Sequence, residues 1–173
     1  MIVVDSLATR PDVTSQVVDL AWSEWGIGLP DEEYQRWLRL AAEDARLNST
    51  FSAGFVAFDG NVPVGVVQLH ESDIKEMIDR SPWVCGMIVK PDYRSRGIGR
   101  RLLGALESFA INKGVERLWV FTESATTFYE KCGWLPYANV IHDGESGTVL
   151  TKQLESQRRC SGICVCPPPS GTP

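Results

Sequence analysis

One stretch of this chain restricts its fold more than any other. Trp83–Val89 is nearly continuous in apolar residues, as a strand buried on both faces would be. A turn-rich, basic stretch follows from Pro91 to Gly99. Ile98, Leu102, Ala105, Leu106, Phe109 and Ala110 then recur at helical spacing up to about Lys113, where Gly114 closes the helix. Leu118–Thr122 reads as another strand. A strand, a helix and a strand in this order make one βαβ unit, so the two strands should be parallel with a right-handed crossover. The chain is therefore expected to be an α/β protein.

The remaining segments fit around that unit. Ile2–Val4 reads as a strand. Pro11 suits the first turn of a helix running to about Trp25, with Val13, Val17, Leu20, Ala21 and Trp25 on its apolar face. Gly26–Pro30 breaks that helix. Asp31 can cap the next, whose stripe is Tyr34, Trp37, Leu38, Ala41 and Ala45. Phe55–Phe58 and Val64–Leu69 read as strands joined by Asp59-Gly60-Asn61. Glu71–Asp79 reads as a loop or short helix. Ser124 can cap a short helix over Ala125–Lys131, and Trp134–Tyr137 with Thr148–Lys152 form a closing strand pair. From Ser156 the chain is rich in Pro, Ser and Cys without periodicity, so residues 1–154 are expected to form one domain and 155–173 a disordered tail.

The chemistry concentrates where the buried strand meets the helix. Gly97 and Gly99 carry no side chains, so backbone N–H groups there can approach a bulky anion. The helix opening at Ile98 aims its positive dipole end and unpaired N–H groups at the same place. Arg94, Arg96, Arg100 and Arg101 add positive charge within a chain whose net charge is -5. Together these features describe a diphosphate site. It is not a P-loop, since no Gly-x-x-x-x-Gly-Lys-Ser/Thr occurs, and Leu102 stands where a dinucleotide fingerprint needs its third small residue.

Arg94-Ser95-Arg96-Gly97-Ile98-Gly99 resembles the Arg/Gln-x-x-Gly-x-Gly/Ala signature of the GCN5-related N-acetyltransferase (GNAT) superfamily. Ala125-Thr126-Thr127-Phe128-Tyr129-Glu130-Lys131-Cys132-Gly133-Trp134 resembles its Ala-x-x-Phe-Tyr-x-x-x-Gly-Phe element. The resemblance covers about Met1 to Leu154. It implies a single-domain acyl-CoA N-acyltransferase fold, with helices on both faces of a mixed sheet and a splayed pair of parallel strands. Acetyl-CoA would lie between Trp83–Val89 and Leu118–Thr122, with Gly86 as the bulge that opens the gap. The pantetheine arm would pair with Met87, Ile88 and Val89. The Met87 N–H would polarise the thioester carbonyl. Backbone amides from Ser95 to Arg101 would hold the pyrophosphate, with Thr122, Phe128 and Tyr129 also against the cofactor. Tyr129 matches the family's general acid, which protonates the departing thiolate. The implied activity is direct acetyl transfer from acetyl-CoA to a primary amine of a small molecule or peptide; the alternative is an acyl-CoA-binding module that does no chemistry.

Two positions depart from the family pattern. Trp83 stands where many members place the carboxylate that serves as general base, which leaves Glu123, Glu71, Asp73, Glu24 or relayed water as alternatives. Thr122 stands where relatives often place an asparagine that contacts pantetheine. His70 and His142 lie far apart with no Ser or Cys partner pattern and read as surface or satisfied residues. Trp22 and Trp25 fall in the region that walls the acceptor cleft in this family.

Charge and composition exclude other classes. A pI near 5.1 argues against a nucleic-acid binder and leans toward cationic acceptors. No apolar run reaches the ~18–20 residues of a membrane span. The N-terminus lacks the basic start and apolar stretch of a signal peptide, so a cytoplasmic monomer or homodimer is expected. Cys85 and Cys132 read as core thiols. Cys160, Cys164 and Cys166 match zinc spacing poorly, and no metal is expected.

Overall fold

Seven strands lie side by side in the order β1-β2-β3-β4-β5-β7-β6 in the computed structural model, which describes residues 1–44 and 52–155. The strands are β1 (Ile2–Ser6), β2 (Ala53–Asp59), β3 (Val62–His70), β4 (Trp83–Val89), β5 (Arg117–Thr122), β6 (Leu135–His142) and β7 (Glu145–Gln153). The helices are α1 (Thr14–Trp25), α2 (Asp31–Asp44), α3 (Ile98–Asn112) and α4 (Thr126–Lys131). β4 and β5 are parallel, as the βαβ reading requires; every other neighbouring pair is antiparallel. This is the mixed α/β sheet that the sequence leads one to expect.

The apolar periodicities sort onto the two faces. Leu102, Leu103, Leu106 and Ala110 of α3 bury against Val64, Val67, Leu69, Val84, Val120 and Leu150. On the opposite face, Val13 and Val17 pack on Val56, Phe58, Val66 and Ile88. α2 docks on α1 through aromatic rings: Trp22 meets Tyr34 and Trp37 edge to face, each at 5.2 Å.

Several boundaries differ from the sequence reading. Pro11 opens a 3-10 turn over Pro11–Val13 instead of α1. Val13 sits off the helical region at φ -106°, so the regular ladder starts only at Thr14. Asp31 is the first residue of α2, and with Glu32 and Glu33 it sets three acids against the positive helix end. The closing strands are longer than expected and form a hairpin turning at Asp143-Gly144, an Asp-Gly signal that the periodicity reading passed over. In the segment between β3 and β4, Ile74 is buried against Trp83, Trp119 and Val149. Ala45 and the segment from Ser156 onward, with Cys160, Cys164 and Cys166, lie outside the described residues. No helix among the described residues is long and apolar enough to cross a membrane.

Candidate active site

The site begins with a parting of strands. β4 and β5 are in register only at Trp83↔Trp119 and Val84↔Val120. Beyond Val84 they separate, and the cause lies on the other edge of β4. Gln68↔Cys85 and Val66↔Ile88 are paired, so Gly86 and Met87 together oppose Val67 alone. Two residues against one is a β-bulge, which bends the strand that carries it. Gly86 supplies the left-handed conformation the bend needs, at φ +57°, and a Cβ there would stand 2.7 Å from Gln68 Oε1. The sequence reading of Gly86 as the bulge residue agrees with this geometry. Past the bulge, the Lys90 N–H donates to Val64 O at 2.9 Å, toward β3. Alternation along the strand then turns the peptide groups of Val89 and Met87 toward the gap, while Ile88 faces β3.

The loop after β4 is a coil of turned peptides leading into α3. Pro91–Tyr93 make a 3-10 turn, Ser95 and Gly97 both adopt positive φ (61° and 75°), and α3 starts at Ile98. Such alternation points successive N–H groups into one concavity. No side chain caps α3, and its ladder begins with the Arg101 N–H donating to Gly97 O, so the N–H groups of Ile98, Gly99 and Arg100 have no partner within the helix. Gly99 lies against α4: a Cβ on it would come within 3.2 Å of the Phe128 ring.

The arginines divide their work. Arg94 Nε donates to Val89 O at 2.9 Å, and its Nη2 pairs with Glu24 of α1 at 3.1 Å. Arg96 stacks over the Tyr93 ring at 5.0 Å. Arg100 Nη2 donates to Lys131 O at 3.2 Å, at the end of α4. Arg101 is exposed on the first turn of α3. Arg94 and Arg100 thus hold protein groups, while the amides at the start of α3 have no partner within the helix.

α4 carries Tyr129 to the other side of the gap. The helix is started by Thr122, whose Oγ1 accepts the Ala125 N–H at 2.9 Å; Ser124, the residue expected to cap it, makes no cap bond. A hydroxyl that accepts one bond can still donate another, so Thr122 retains a proton to offer. The far end is held by Glu107 of α3. Its carboxylate accepts from Lys152 Nζ at 2.8 Å and from Trp134 Nε1 at 3.1 Å, and Lys152 also donates to Cys132 O. Tyr129 packs between Phe128 and Trp134 with ring centroids at 5.1 and 5.5 Å. It is only 4% exposed, and its hydroxyl lies 3.6 Å from Met87 Sδ. Removal from water pushes its phenol well above the usual range, with smaller contributions from Cys85, Asp73 and Cys132. Tyr129 therefore keeps its proton and sits beside Met87 of β4.

On the α1–α2 face a cleft of about 350 Å³ opens beside the bulge. Val17, Ala21 and Trp25 of α1 and Trp37 and Leu40 of α2 form its walls. Its floor includes Gln68, His70 and Gly86. Trp25 thus faces the cleft, whereas Trp22 is taken up by the α1–α2 contact. His70, read from sequence as a surface or satisfied residue, also forms part of this floor; nothing in its local sequence marks that place, because it follows from pairing with Trp83 across β3 and β4. His142 lies apart from the cleft, with Nδ1 2.8 Å from Glu76 Oε2.

The candidates for a base are distributed differently from the sequence reading. Trp83 is fully buried, with its Nε1 donating to Arg80 O, so its position is closed to solvent. Glu24 is engaged by Arg94. Glu71 and Glu123 are exposed. Asp73 is exposed as well; desolvation by its neighbours raises its carboxyl while His70 and His142 oppose the rise.

Comparison with known proteins gives a consistent result. Residues 14–134 match the sequence profile of the acetyltransferase (GNAT) family. An uncharacterized acetyltransferase of Streptococcus pyogenes is 30% identical over a 102-residue alignment that covers 57% of this chain and 66% of that protein. An aminoglycoside N(6')-acetyltransferase type 1 of Salmonella typhimurium is 28% identical over 107 residues, covering 60% of this chain and 70% of that one. Among solved structures, an aminoglycoside 6'-N-acetyltransferase complexed with coenzyme A superposes with a TM-score of 0.69 at 16% identity, over 88% of this chain and 97% of that chain. The PaiA N-acetyltransferase of Thermoplasma acidophilum, also in complex with coenzyme A, gives 0.63 at 17% identity over 88% and 99%.

Proposed function

The chain belongs to the acetyltransferase (GNAT) family, and from that premise we propose that it moves the acetyl group of acetyl-CoA directly onto a primary amine. The observation that carries this reading is the parting of β4 from β5 beyond Val84, with Tyr129 at its mouth and uncapped amides at its end.

In this reading the pantetheine arm enters the gap and takes backbone partners from Met87 and Val89, as an added strand would. The pyrophosphate sits on the amides between Ser95 and Arg101, where the dipole of α3 favours negative charge. Thr122 offers its hydroxyl proton to the arm, and Phe128 packs along it. The acceptor nitrogen attacks the thioester carbonyl carbon, and the Met87 N–H stabilises the oxygen as it gains charge. The C–S bond breaks, the thiolate takes the proton of Tyr129, and the acetylated amine leaves with one proton fewer. His70, on the floor of the cleft, accepts that proton; imidazole is the side chain whose ordinary titration falls nearest neutrality.

The test follows free thiol as acetyl-CoA is offered with a panel of primary amines, beside calorimetric titration with acetyl-CoA. Thiol release that depends on an amine supports the reading. Tight binding without release under every amine would leave an acyl-CoA-binding module, and absence of binding would remove the reading altogether.

A further inference from the structure

The cleft beside Gly86 has a chemistry that restricts the acceptor. Its walls are aliphatic and aromatic: Val17, Ala21 and Trp25 from one helix, Trp37 and Leu40 from the other. Among the described residues lining it there is no carboxylate, and Gln68 and His70, both on its floor, are its polar and titratable side chains. Trp25 and Leu40 are each about half exposed, at 49% and 47%, so apolar area remains for a ligand to cover.

A polyamine or aminoglycoside carries several ammonium groups. Each one drawn into such a cleft loses water and finds no carboxylate in the lining, since Asp73, which acts on His70, lies outside it, and that is unfavourable. The acidic excess of the chain, -5 overall, can steer a cation toward the protein but does not supply partners inside. Three acids do lie in the first turn of α2, Asp31, Glu32 and Glu33, but none of them lines the cleft. A molecule with one amine and an apolar ring or chain meets the opposite situation. Its body covers Trp25, Trp37 and Leu40, and its nitrogen is left at the end where Gln68, His70 and Gly86 lie. That end adjoins the bulge, which is where the thioester would be presented.

We propose that the cleft selects a small monoamine with an apolar, ring-sized body, its nitrogen directed to the Gln68–His70–Gly86 floor. This rests on the acetyl-transfer reading and narrows its acceptor class.

The experiment compares kcat/KM by thiol release for 2-phenylethylamine, hexylamine, spermidine, kanamycin and the dipeptide Phe-Ala, with acetyl-CoA affinity measured separately. The two apolar monoamines should exceed spermidine and kanamycin by at least about 100-fold, since each unpaired charge in the cleft is costly. Leu40→Asp, at a half-exposed wall position, should lower kcat/KM for 2-phenylethylamine about tenfold through KM, as loss of apolar cover predicts, and leave acetyl-CoA affinity unchanged. A preference for spermidine, kanamycin or Phe-Ala would overturn the proposal, as would indifference of 2-phenylethylamine to Leu40→Asp. Acetyl-CoA binding with no turnover of either monoamine would overturn it while sparing the cofactor reading. Failure to bind acetyl-CoA would remove both.

Discussion

The hydroxyl of Tyr129 and the sulfur of Met87 lie 3.6 Å apart, one from α4 and one from β4, facing each other over the place where β4 and β5 separate. A thioether is a weak acceptor, so the phenol keeps its proton and makes no strong commitment to its neighbour. Under the proposed function the sulfur of CoA becomes the partner of that proton. Tyr129→Phe should then lower kcat by about 100-fold or more, in the range ascribed to a positioned acid, with acetyl-CoA affinity nearly unchanged. Thiol release and calorimetry measure the two separately, and undiminished turnover would remove the acid role.

The same burial predicts a pH effect on stability. The folded-state pKa of Tyr129 lies above its ordinary 10. The stabilisation linked to its proton is therefore complete below about pH 10 and is lost as pH rises further. Urea midpoints should fall more steeply above pH 10 in the wild type than in Tyr129→Phe; parallel curves would mean that the phenol titrates as freely as in the unfolded chain.

His70→Gln should cost turnover about 10- to 100-fold at neutral pH if the imidazole takes the acceptor's proton. The deficit should shrink as pH climbs toward the pKa of the amine, because a neutral amine needs no base. A deficit constant with pH would point to a packing role on the cleft floor.

Gly97 stands at φ +75° with open space where a Cβ would be. Gly97→Glu places an anion against the proposed pyrophosphate and should weaken acetyl-CoA binding by about 100-fold, as like charges brought together do. Gly97→Asn, which tolerates the left-handed region, is the control for strain and should keep most of the affinity. Calorimetry decides, and equal affinities in both variants would locate the diphosphate elsewhere.

Glu107 ties α3, β7 and the end of α4 together. Glu107→Ala leaves Lys152 with one partner, Cys132 O, and Trp134 Nε1 with none of its present bond. Because Glu107 and Lys152 are both mostly buried, at 16% and 22% exposure, a loss of about 2–3 kcal/mol is expected in denaturant titrations. A loss below about 0.5 kcal/mol would class the network with surface ion pairs.

Much of the architecture could be read from local pattern. The 3.6-residue spacing of α3 and the apolar run of β4 marked the βαβ unit, and the glycines of the basic loop marked the start of α3. The misplaced boundaries arose where a turn competed with a helix, at Pro11–Val13, or where a hairpin lacked contrast, at β6 and β7. The floor of the cleft was not legible, because Gln68 and His70 acquire meaning only through what lies across the sheet from them. The engagement of Arg94 by Glu24, 70 positions earlier in the chain, was equally beyond local reading.

The bend at Gly86 also fixes which side of the sheet each residue of β4 takes. Val84, Met87 and Val89 share the face of α3, while Trp83 and Ile88 take the other. Skip Gly86 and the remaining residues fall into regular step; count it and the phase slips. The opening in the sheet is thus stored as one supernumerary residue within an otherwise ordinary strand. A chain lacking only that glycine would keep each neighbour on its present side, and could zip β4 to β5 along its length into a sound but sealed protein.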